Sequence, residues 1–277
     1  MNPARSSRYP AKRITDIDYA DDLALTSNTI LEANELLHSL ESAAREIGLH
    51  INTKKTEFMC YNQTGTIISL DGKPIKQVVD FTYLGSNIQS TEKYINIRKG
   101  KAWSALNKMD NIWKSDLPKR LKRNFFQAIV ESVLVYGSST WTLTKVQEKT
   151  LDGTYTRMLR AALNLSWEDH PTKKQIYGDL PAISTKIRQR RLRFAGHCHR
   201  SKTELASKLI LWQPHHGKRS RGAPATTYIK QLAQDAGCSI EDLPTLMDDR
   251  EVWREMVNEV RETLSTRYII LLNNYQW

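Results

Sequence analysis

ITDIDYADDLALT, from Ile14 to Thr26, is the stretch of sequence on which the fold prediction rests. Its large apolar residues occupy odd positions, at Ile17, Tyr19, Leu23 and Leu25. A period of two is typical of strands, and the Ala-Asp-Asp interruption in the middle indicates a turn. The stretch therefore predicts a β-hairpin with Asp21 and Asp22 at its tip.

Two adjacent carboxylates at a hairpin tip are a candidate site for a divalent cation. Asp21 and Asp22 repel each other unless a cation joins them. Magnesium suits such a pair because it takes one or two carboxylates and completes its shell with water and phosphate. Two such ions, about 3.5–4 Å apart, can activate a hydroxyl and stabilise a leaving phosphate oxygen. A solvated turn without any ion is the alternative that four residues alone leave open.

The residues after the hairpin predict one amphipathic helix and then several short strands. Thr29 and Glu32 form a capping box, and apolar residues then recur at steps of three and four. Gly48 predicts the end of this helix, in the manner of a C′ glycine. Strand-like runs and a turn follow, at 49–51, 58–60, 67–70, Asp71-Gly72 and 81–84.

From about Glu92 onward the apolar spacing is helical. Two apolar rows are predicted, and Pro118 opens the helix that carries the second. Their members are Ile95, Arg98, Ala102, Leu106, Met109 and Trp113 in the first row, and Leu121, Phe125, Ile129 and Val133 in the second. Further helices are predicted at 151–163, 184–199, 226–236 and 249–264. The turn-rich stretch PHHGKRSRGAP, at 214–224, predicts a flexible linker.

The composition of the chain indicates a polyanion as partner. Its 277 residues carry a net charge of +11, and 40% of them are apolar, enough for a core. Proteins this basic commonly bind nucleic acid or an acidic membrane surface. Three scattered cysteines do not form a disulfide framework, and no stretch reaches the roughly 18 apolar residues of a membrane span. We expect an intracellular protein, nuclear or cytoplasmic, that is neither secreted nor embedded in a membrane.

Several motifs of this chain resemble those of LINE-type (non-LTR) retrotransposon reverse transcriptases. YADDLAL, at 19–25, is similar to the catalytic hairpin of that family, and GLHINTKKTEFM, at 48–59, to the segment that follows it. FTYLGSNI, at 81–88, resembles the hairpin that holds the primer. Stretches similar to the thumb and post-thumb regions follow in the family's order, namely LVYGSSTWTL at 134–143, RMLRAALNLSWEDH at 157–170 and RRLRFAGHCHR at 190–200.

This resemblance implies an α+β fold class and three regions. Residues 1–88 would form a partial palm with the YADD hairpin and a hairpin like the primer grip. Residues 89–165 would form a helical region like the thumb. Residues 166–277 would form a basic helical C-terminal region that contains the linker.

The resemblance also implies roles for individual residues. Asp21 is similar to the invariant metal ligand and Asp22 to its less demanding neighbour, so both would bind Mg²⁺. Lys55 is similar to a lysine that helps pyrophosphate to leave, although an ordinary surface lysine is the alternative. The primer would contact Tyr19, Tyr83, Leu84 and Gly85. The implied partners are RNA and DNA as template and primer, with deoxynucleotides in the complete parent enzyme.

The resemblance further implies that part of the polymerase is missing. The family's other catalytic aspartate lies on a strand far upstream of the hairpin, whereas only residues 1–18 precede it here. The fingers that bind the nucleotide are missing too, so we expect Mg²⁺ binding to be weak or absent. The predicted function is an RNA-directed DNA polymerase that is incomplete by itself. The alternatives are a catalytically inactive nucleic-acid-binding remnant and a helical interaction module, and the oligomeric state is left open.

A basic helix in the C-terminal region is predicted to bind phosphates, because arginine forks pair well with phosphate oxygens. The predicted nucleic-acid-binding residues are Lys186, Arg188, Arg190, Arg191, Arg193 and Arg200, together with Lys218, Arg219 and Arg221 in the linker. Alternatively, these arginines are solvated or pair with acidic residues of the C-terminal helices, such as Glu251, Glu255 and Glu259. The spacing of His197, Cys198 and His199 matches no structural zinc pattern.

Overall fold

The computed structural model describes residues 14–61, 65–88, 90–166, 168–202, 205–212 and 227–260. They belong to two compact units, divided between Ser90 and Thr91, which are described separately. The predicted linker at 214–224, with Lys218, Arg219 and Arg221, lies outside these ranges. No helix within them is long and apolar enough to cross a membrane.

The first unit is α+β, as predicted. A hairpin and one long helix are followed by two short strand pairs, one parallel and one antiparallel. The elements are β1 (Asp16–Tyr19), β2 (Asp22–Leu25), α1 (Ile30–Glu46), β3 (Glu57–Phe58), β4 (Lys76–Gln77), β5 (Thr82–Tyr83) and β6 (Ser86–Asn87). A small core forms between α1 and the chain around β4, with Leu37, Ile67 and Ile75 buried.

Both ends of α1 follow from local chemistry. The hydroxyl of Thr29 accepts a hydrogen bond from the Glu32 amide at 3.2 Å. The Glu32 carboxylate accepts one at 3.1 Å from the amide of Asn28, one residue beyond the usual partner in a capping box. At the other end Gly48 has a φ of +77°, which glycine adopts without strain. The predicted helix is therefore confirmed, with both of its boundary signals.

Three of the predicted strands differ from the structure. The run at 67–70 forms only an isolated bridge, between Ile68 and Pro74. The run at 49–51 is not a strand, because Asn52 starts a turn directly after it, accepting at 3.2 Å from the Lys54 amide. The run at 58–60 forms a strand only at its first residue, which pairs with β4 as part of β3. The predicted turn at Asp71-Gly72 is present, since the chain on either side pairs as a bridge.

The second unit is helical, as predicted. Its helices are α2 (Thr91–Lys108), α3 (Asp110–Lys114), α4 (Lys119–Phe126), α5 (Ser132–Leu134), α6 (Lys145–Ala162), α7 (Lys173–Tyr177), α8 (Ile183–Arg200), α9 (Leu205–Leu209), α10 (Tyr228–Ala236), α11 (Leu243–Asp248) and α12 (Arg250–Glu259). A π-helix at Gln127–Glu131 joins α4 to α5, and a 3-10 turn lies at Ser138–Thr140. The short helices α3, α7, α9 and α11 were not predicted, because so few residues show no period.

The apolar row predicted for α2 is confirmed, but the row predicted for α4 is wrong by one residue. Leu121 and Phe125 are 42% and 39% exposed. The buried row consists instead of Lys122, Phe126, Val130 and Leu134. The π-helix has a wider turn than an α-helix, which helps residues four apart to stay on one face. A lysine in the buried row hid it from the sequence pattern, and its ammonium donates to the Trp113 carbonyl at 2.6 Å.

Helix α8 is shared by the two hydrophobic cores of the second unit. Its first half contributes Ile183 and Ile187 to a core with α2 and α6. Its second half contributes Leu192 and Ala195 to a core with α10, α11 and α12. Each core therefore depends on the position of this one helix.

Close approach of α12 to α8 requires a glycine on α8. The indole N–H of Trp253 donates to the carbonyl of Leu192 at 2.9 Å. A Cβ atom at Gly196 would lie only 2.4 Å from that indole nitrogen. A side chain at this position would push the indole away from its hydrogen-bond acceptor and open the second core.

Buried ion pairs lie where the two cores meet. Arg188 donates to both carboxylate oxygens of Glu148, at 3.1 and 2.7 Å. Arg191 donates to the Trp141 carbonyl at 2.9 Å and to the Asp235 carboxylate. Bidentate arginine–carboxylate pairs are among the strongest hydrogen-bonded contacts in proteins. They connect α8 to α6 and to α10.

The pKa of Glu148 reflects its pairing with Arg188. Burial raises this pKa, but the hydrogen bonds and positive charge of Arg188, together with those of Lys145, outweigh burial, so the net change is a lowered pKa. A carboxyl group whose pKa is lower in the folded state than in the unfolded state increases the free energy of unfolding. That contribution is complete at pH values above the unfolded-state pKa, and it disappears as the pH falls through the folded-state pKa. The contribution of Glu148 is therefore complete at neutral pH and is lost below about pH 4.3, the ordinary pKa of glutamate.

We predict that Glu148→Gln destabilises the second unit by about 3 kcal/mol at pH 7, because the buried guanidinium of Arg188 loses the carboxylate that accepts both of its hydrogen bonds and keeps only the more distant Asp235, at 3.9 Å. The difference from the parent protein should shrink in acid, where the parent also loses the carboxylate. Urea unfolding followed by tryptophan fluorescence measures this loss. All seven tryptophans follow residue 90, so the signal reports on the second unit.

A matched control for this experiment is Glu251→Gln on α12. The Glu251 carboxylate is 82% exposed and lies 3.7 Å from Arg254. Its removal should change stability by no more than about 0.5 kcal/mol. Equal losses in the two variants, or a Glu148→Gln loss that persists undiminished in acid, would contradict a stabilising ion pair.

Candidate functional site

The predicted acidic hairpin is present, with its two carboxylates at the tip. The antiparallel pairing of β1 and β2 closes at Tyr19 opposite Asp22. Ala20 and Asp21 form the two-residue turn between these positions. Both aspartates are exposed, so their carboxylates are accessible to a cation from solvent.

The turn of this hairpin holds a strained residue. Ala20 has a φ of 53°, in the left-handed region that costs about 1–2 kcal/mol for a residue with a Cβ atom. Leu84, in the turn of the β5–β6 hairpin, has a φ of 48°. Residues keep such conformations only where the surrounding structure imposes them, and they are concentrated at functional sites. The two strained turns therefore mark this part of the first unit as a candidate site.

Strand register places the acidic residues of the hairpin on different faces. Residues opposite each other in an antiparallel pair share a face. Asp22 thus lies on the same face as Tyr19, which is 64% exposed, while Asp18 is paired with Leu23 on the other face. Asp18 and Asp22 therefore do not form one cluster through the strand geometry.

The β5–β6 hairpin is bound to the acidic hairpin through Tyr83. Leu84 and Gly85 form its two-residue turn, so Leu84 belongs to the turn and not to the strand-like run predicted at 81–84. The Tyr83 hydroxyl lies 3.0 Å from the carbonyl oxygen of Ile17 and 3.3 Å from that of Asp22, and it can donate to either. Because these two carbonyls belong to different strands, one hydroxyl supports both strands close to the carboxylates.

The closeness of the Tyr83 hydroxyl to the acidic hairpin affects its pKa. Partial desolvation, followed by the negative charges of Asp22 and Asp18, raises the pKa of the phenol. The hydroxyl therefore stays protonated throughout the neutral range and keeps its hydrogen to donate. Its contact with the hairpin backbone does not depend on pH under ordinary conditions.

Asp21 and Asp22 suit magnesium in donor chemistry. Mg²⁺ accepts one or two protein carboxylates and fills its remaining positions with water and phosphate. A two-metal site needs further ligands that hold both ions at once. Across the residues that the structure describes, no group of three or more His, Cys, Asp or Glu side chains could hold a metal ion. The hairpin by itself therefore provides two carboxylates and no further ligand.

Lys55 lies in the turn that follows α1. Its amide donates to the carbonyl of Asn52 at 2.9 Å, and its side chain is exposed. The lysine is therefore a mobile cation at the surface of the first unit. Its role beside a leaving phosphate stays a prediction.

The cations of the basic helix, α8, fall into two groups. Four have protein partners. Arg188 and Arg191 form the buried ion pairs, Lys186 contacts both carboxylate oxygens of Glu131 at 2.8 and 2.7 Å, and Arg200 donates to the Met247 carbonyl at 2.8 Å. Arg190 and Arg193 are exposed.

Burial corrects the predicted set of phosphate ligands. Arg191 has no exposed surface and Arg188 is 8% exposed, so neither can contact phosphate as predicted. The reason is that carboxylates on α6 and α10 reach them inside the unit. The alternative partners proposed from sequence, Glu251, Glu255 and Glu259, form no ion pair with α8 among the described residues.

The acidic residues that do pair with the buried arginines of α8 could have been identified from the sequence. Glu148 precedes Leu151 and Tyr155 at steps of three and four, so it continues the buried row of α6. Asp235 likewise lies beside the buried Leu232 of α10. An acidic residue inside an apolar row predicts a buried cation as its partner, because an unpaired buried charge is costly.

Comparison with known proteins finds similarity in the N-terminal part of the chain and beyond it. Residues 3–88 match the family described as reverse transcriptase (RNA-dependent DNA polymerase). A transposon-derived protein of Caenorhabditis elegans is 26% identical over 271 residues, which cover 90% of this chain and 97% of the relative. That similarity extends well beyond residue 88 into the helical unit. No solved structure matches the chain.

We predict that Tyr83→Phe loosens the acidic hairpin. The variant keeps the ring but cannot donate to the backbone carbonyls of Ile17 and Asp22, so the hairpin amides should exchange with solvent several-fold faster. Hydrogen exchange followed by mass spectrometry of peptides that span β1 and β2 measures the effect. Tyr61→Phe is the matched control, since Tyr61 lies in the same unit and is 61% exposed. Unchanged exchange in Tyr83→Phe would mean that the hydroxyl does not support the hairpin.

Proposed function

We propose, from the premise that residues 3–88 are a reverse transcriptase segment, that this chain derives from a LINE-type retrotransposon polymerase. In this proposal the Asp21–Asp22 pair is the metal-binding part of a two-metal nucleotidyl transfer site. The observation that carries it is the exposed carboxylate pair at a strained two-residue turn, supported by Tyr83 from a second hairpin. The motif order after the hairpin and the transposon-derived relative support it as well.

Each residue of the hairpin pair has a task in this proposal. Bound Mg²⁺ would supply charge that stabilises the attacking and leaving oxygens of a phosphoryl group. Asp21 and Asp22 hold that charge at the tip, and the Tyr83 contact limits the movement of their backbone. Tyr19, on the same face as Asp22, lies where a primer end could rest on its exposed ring. Lys55 provides a mobile cation for the departing phosphate.

The proposed two-metal site needs more ligands than the hairpin pair. The described residues bring no third carboxylate, histidine or cysteine to the pair. A carboxylate pair without further ligands binds Mg²⁺ weakly and positions it poorly. We therefore expect metal binding at the hairpin, but no polymerisation by this chain alone. The regions at 1–88, 89–165 and 166–277 keep their proposed roles as partial palm, thumb-like region and basic C-terminal region.

The second candidate function is nucleic-acid binding without polymerisation. The observation that favours it is the exposed pair Arg190 and Arg193 on a chain with a net charge of +11. Release of counterions from phosphates would drive such binding, with RNA or DNA as template and primer. Lys218, Arg219 and Arg221 remain candidates for further phosphate contacts.

We predict that Mn²⁺, a paramagnetic substitute for Mg²⁺, binds at the hairpin tip. Its presence should broaden the amide NMR signals of residues 19–23 selectively, and excess Mg²⁺ should reverse the broadening. Asp21→Asn combined with Asp22→Asn should abolish the effect, because both carboxylate charges are lost. Asp16→Asn, at the far end of the same hairpin, is the matched control and should keep it. Broadening that survives the double variant would remove the basis for a metal site.

We also predict that the 277-residue chain does not extend a primer on an RNA template. The physical reason is that two carboxylates cannot hold two metal ions in the geometry that the transfer requires. Incorporation of labelled deoxynucleotide, compared with the Asp21→Asn variant as background, measures this. Incorporation that disappears in the variant would show that the site is complete after all.

A further inference from the structure

The outer face of α8 carries a row of residues that the fold leaves exposed. Arg190, Arg193, Phe194 and His197 occupy positions i, i+3, i+4 and i+7, so they lie on a single face of the helix. We call this row the α8 stripe. The opposite face of α8 is buried in the two cores. The stripe is therefore held on a rigid element rather than on a loop.

The stripe concentrates the available charge of the helix. Lys186, Arg188, Arg191 and Arg200 are committed to Glu131, Glu148, Asp235 and the Met247 carbonyl. Arg190 and Arg193 form no ion pair with any residue in the described ranges. These two guanidinium groups are thus the cations of α8 that a polyanion can reach.

An aromatic ring lies between these cations. Phe194 is 38% exposed, although it is a large apolar side chain on a helix with a well-filled buried face. It lies one turn from Arg190 and next to Arg193 along the chain, with His197 one turn further on. Apolar rings beside arginines are the arrangement in which proteins stack nucleobases while they bind the backbone.

We propose that the α8 stripe binds single-stranded nucleic acid, with a base stacked on Phe194 and phosphates bound by Arg190 and Arg193. This inference deepens the proposed nucleic-acid function, on which it rests, and it names the strand state that the site selects. A duplex offers phosphates to the two arginines but hides the faces of its bases from the phenyl ring. A single strand offers both, so it binds the stripe more tightly.

The composition of the stripe favours nucleic acid over a membrane surface. Helices that lie on membranes bury a broad apolar face in the headgroup region. The stripe presents one apolar side chain among three polar ones, which is too little for insertion. The two arginines are complementary in charge to phosphates, and the phenyl ring can stack on one base. Together they indicate a nucleic acid strand as the ligand.

The experiment measures binding of a fluorescein-labelled single-stranded RNA of about 20 nucleotides, long enough to cover a site of the usual size. The same RNA annealed to its complement serves as the duplex probe, and both are titrated by fluorescence anisotropy over a range of salt. Phe194→Leu should weaken single-strand binding about ten-fold and leave duplex binding unchanged. Phe194→Trp should preserve single-strand binding, because it keeps a stacking ring.

The role of the two charges is tested with a double variant, Arg190→Gln combined with Arg193→Gln. Loss of two phosphate contacts should lower the salt slope of single-strand binding by about 1.4, since each contact contributes about 0.7 on a single strand. Arg120→Gln combined with Arg157→Gln is the matched control, because both arginines are exposed on other helices of the same unit. The control should keep the parent slope. Tryptophan fluorescence during thermal unfolding verifies that each variant remains folded.

Several results would overturn this inference. Equal weakening of single-strand and duplex binding in Phe194→Leu would exclude stacking, as would parent affinity in that variant. An equal loss of slope in the control pair would mean that charge acts without a defined site. Binding to phosphatidylserine vesicles that needs Arg190 and Arg193, without RNA binding, would assign the stripe to a membrane. Failure of the parent protein to bind either RNA probe would refute the proposed nucleic-acid function itself, whereas binding that ignores the Phe194 and arginine substitutions would refute only the α8 stripe.

Discussion

The helical unit depends on one buried interaction, the contact of Arg191 with the Asp235 carboxylate and the Trp141 carbonyl. A guanidinium group without exposed surface is expensive to desolvate, and breaking a buried pair typically costs about 3–5 kcal/mol. Arg191 belongs to α8, which supplies side chains to both hydrophobic cores. Its partners lie on α10 and on the segment before α6. One charged side chain therefore ties together elements from three parts of the chain.

Because some arginines of α8 are buried in ion pairs, fewer of them are available to bind a ligand. A helix rich in arginine predicts phosphate binding. In α8, however, the buried arginines pair with carboxylates of their own unit. What remains for a ligand is the short exposed row that contains Arg190 and Arg193. The positively charged surface that a polyanion could reach is thus smaller than the sequence suggested, and it includes the exposed aromatic residue Phe194.

The acidic hairpin shows a similar division between local and tertiary effects. Alternating residues define its strands, and the pairing of Tyr19 with Asp22 forces a two-residue turn with a strained alanine. The hairpin has exposed faces and little core of its own, so its shape depends on neighbours. Tyr83, more than 60 residues further along the chain, supplies a hydrogen bond to its backbone. The two carboxylates are adjacent in sequence, but the residue that stabilises their hairpin is distant in sequence.

The sequence by itself determined what short-range chemistry controls. The hairpin with its acidic tip, the capped helix α1, the row along α2 and the α+β-then-helical order all follow from periodicity, caps and turn residues. The resemblance of residues 19–25 to a reverse transcriptase hairpin was recognisable for the same reason, because that motif occupies a few consecutive residues, and residues 3–88 match that family. The short helices could not be predicted, since five or six residues do not establish a period.

Only the tertiary structure decided which residues face the interior and which charges remain available. Lys122 lies in the buried row of α4 because a carbonyl of α3 accepts its hydrogen bond. Arg188 and Arg191 are buried because Glu148 and Asp235 reach them from helices 40 and 44 residues away. Burial of a charge depends on whether a partner arrives from a distant part of the chain. Local sequence determines the helix and its faces, whereas packing determines which cation meets a carboxylate and which is left for a ligand.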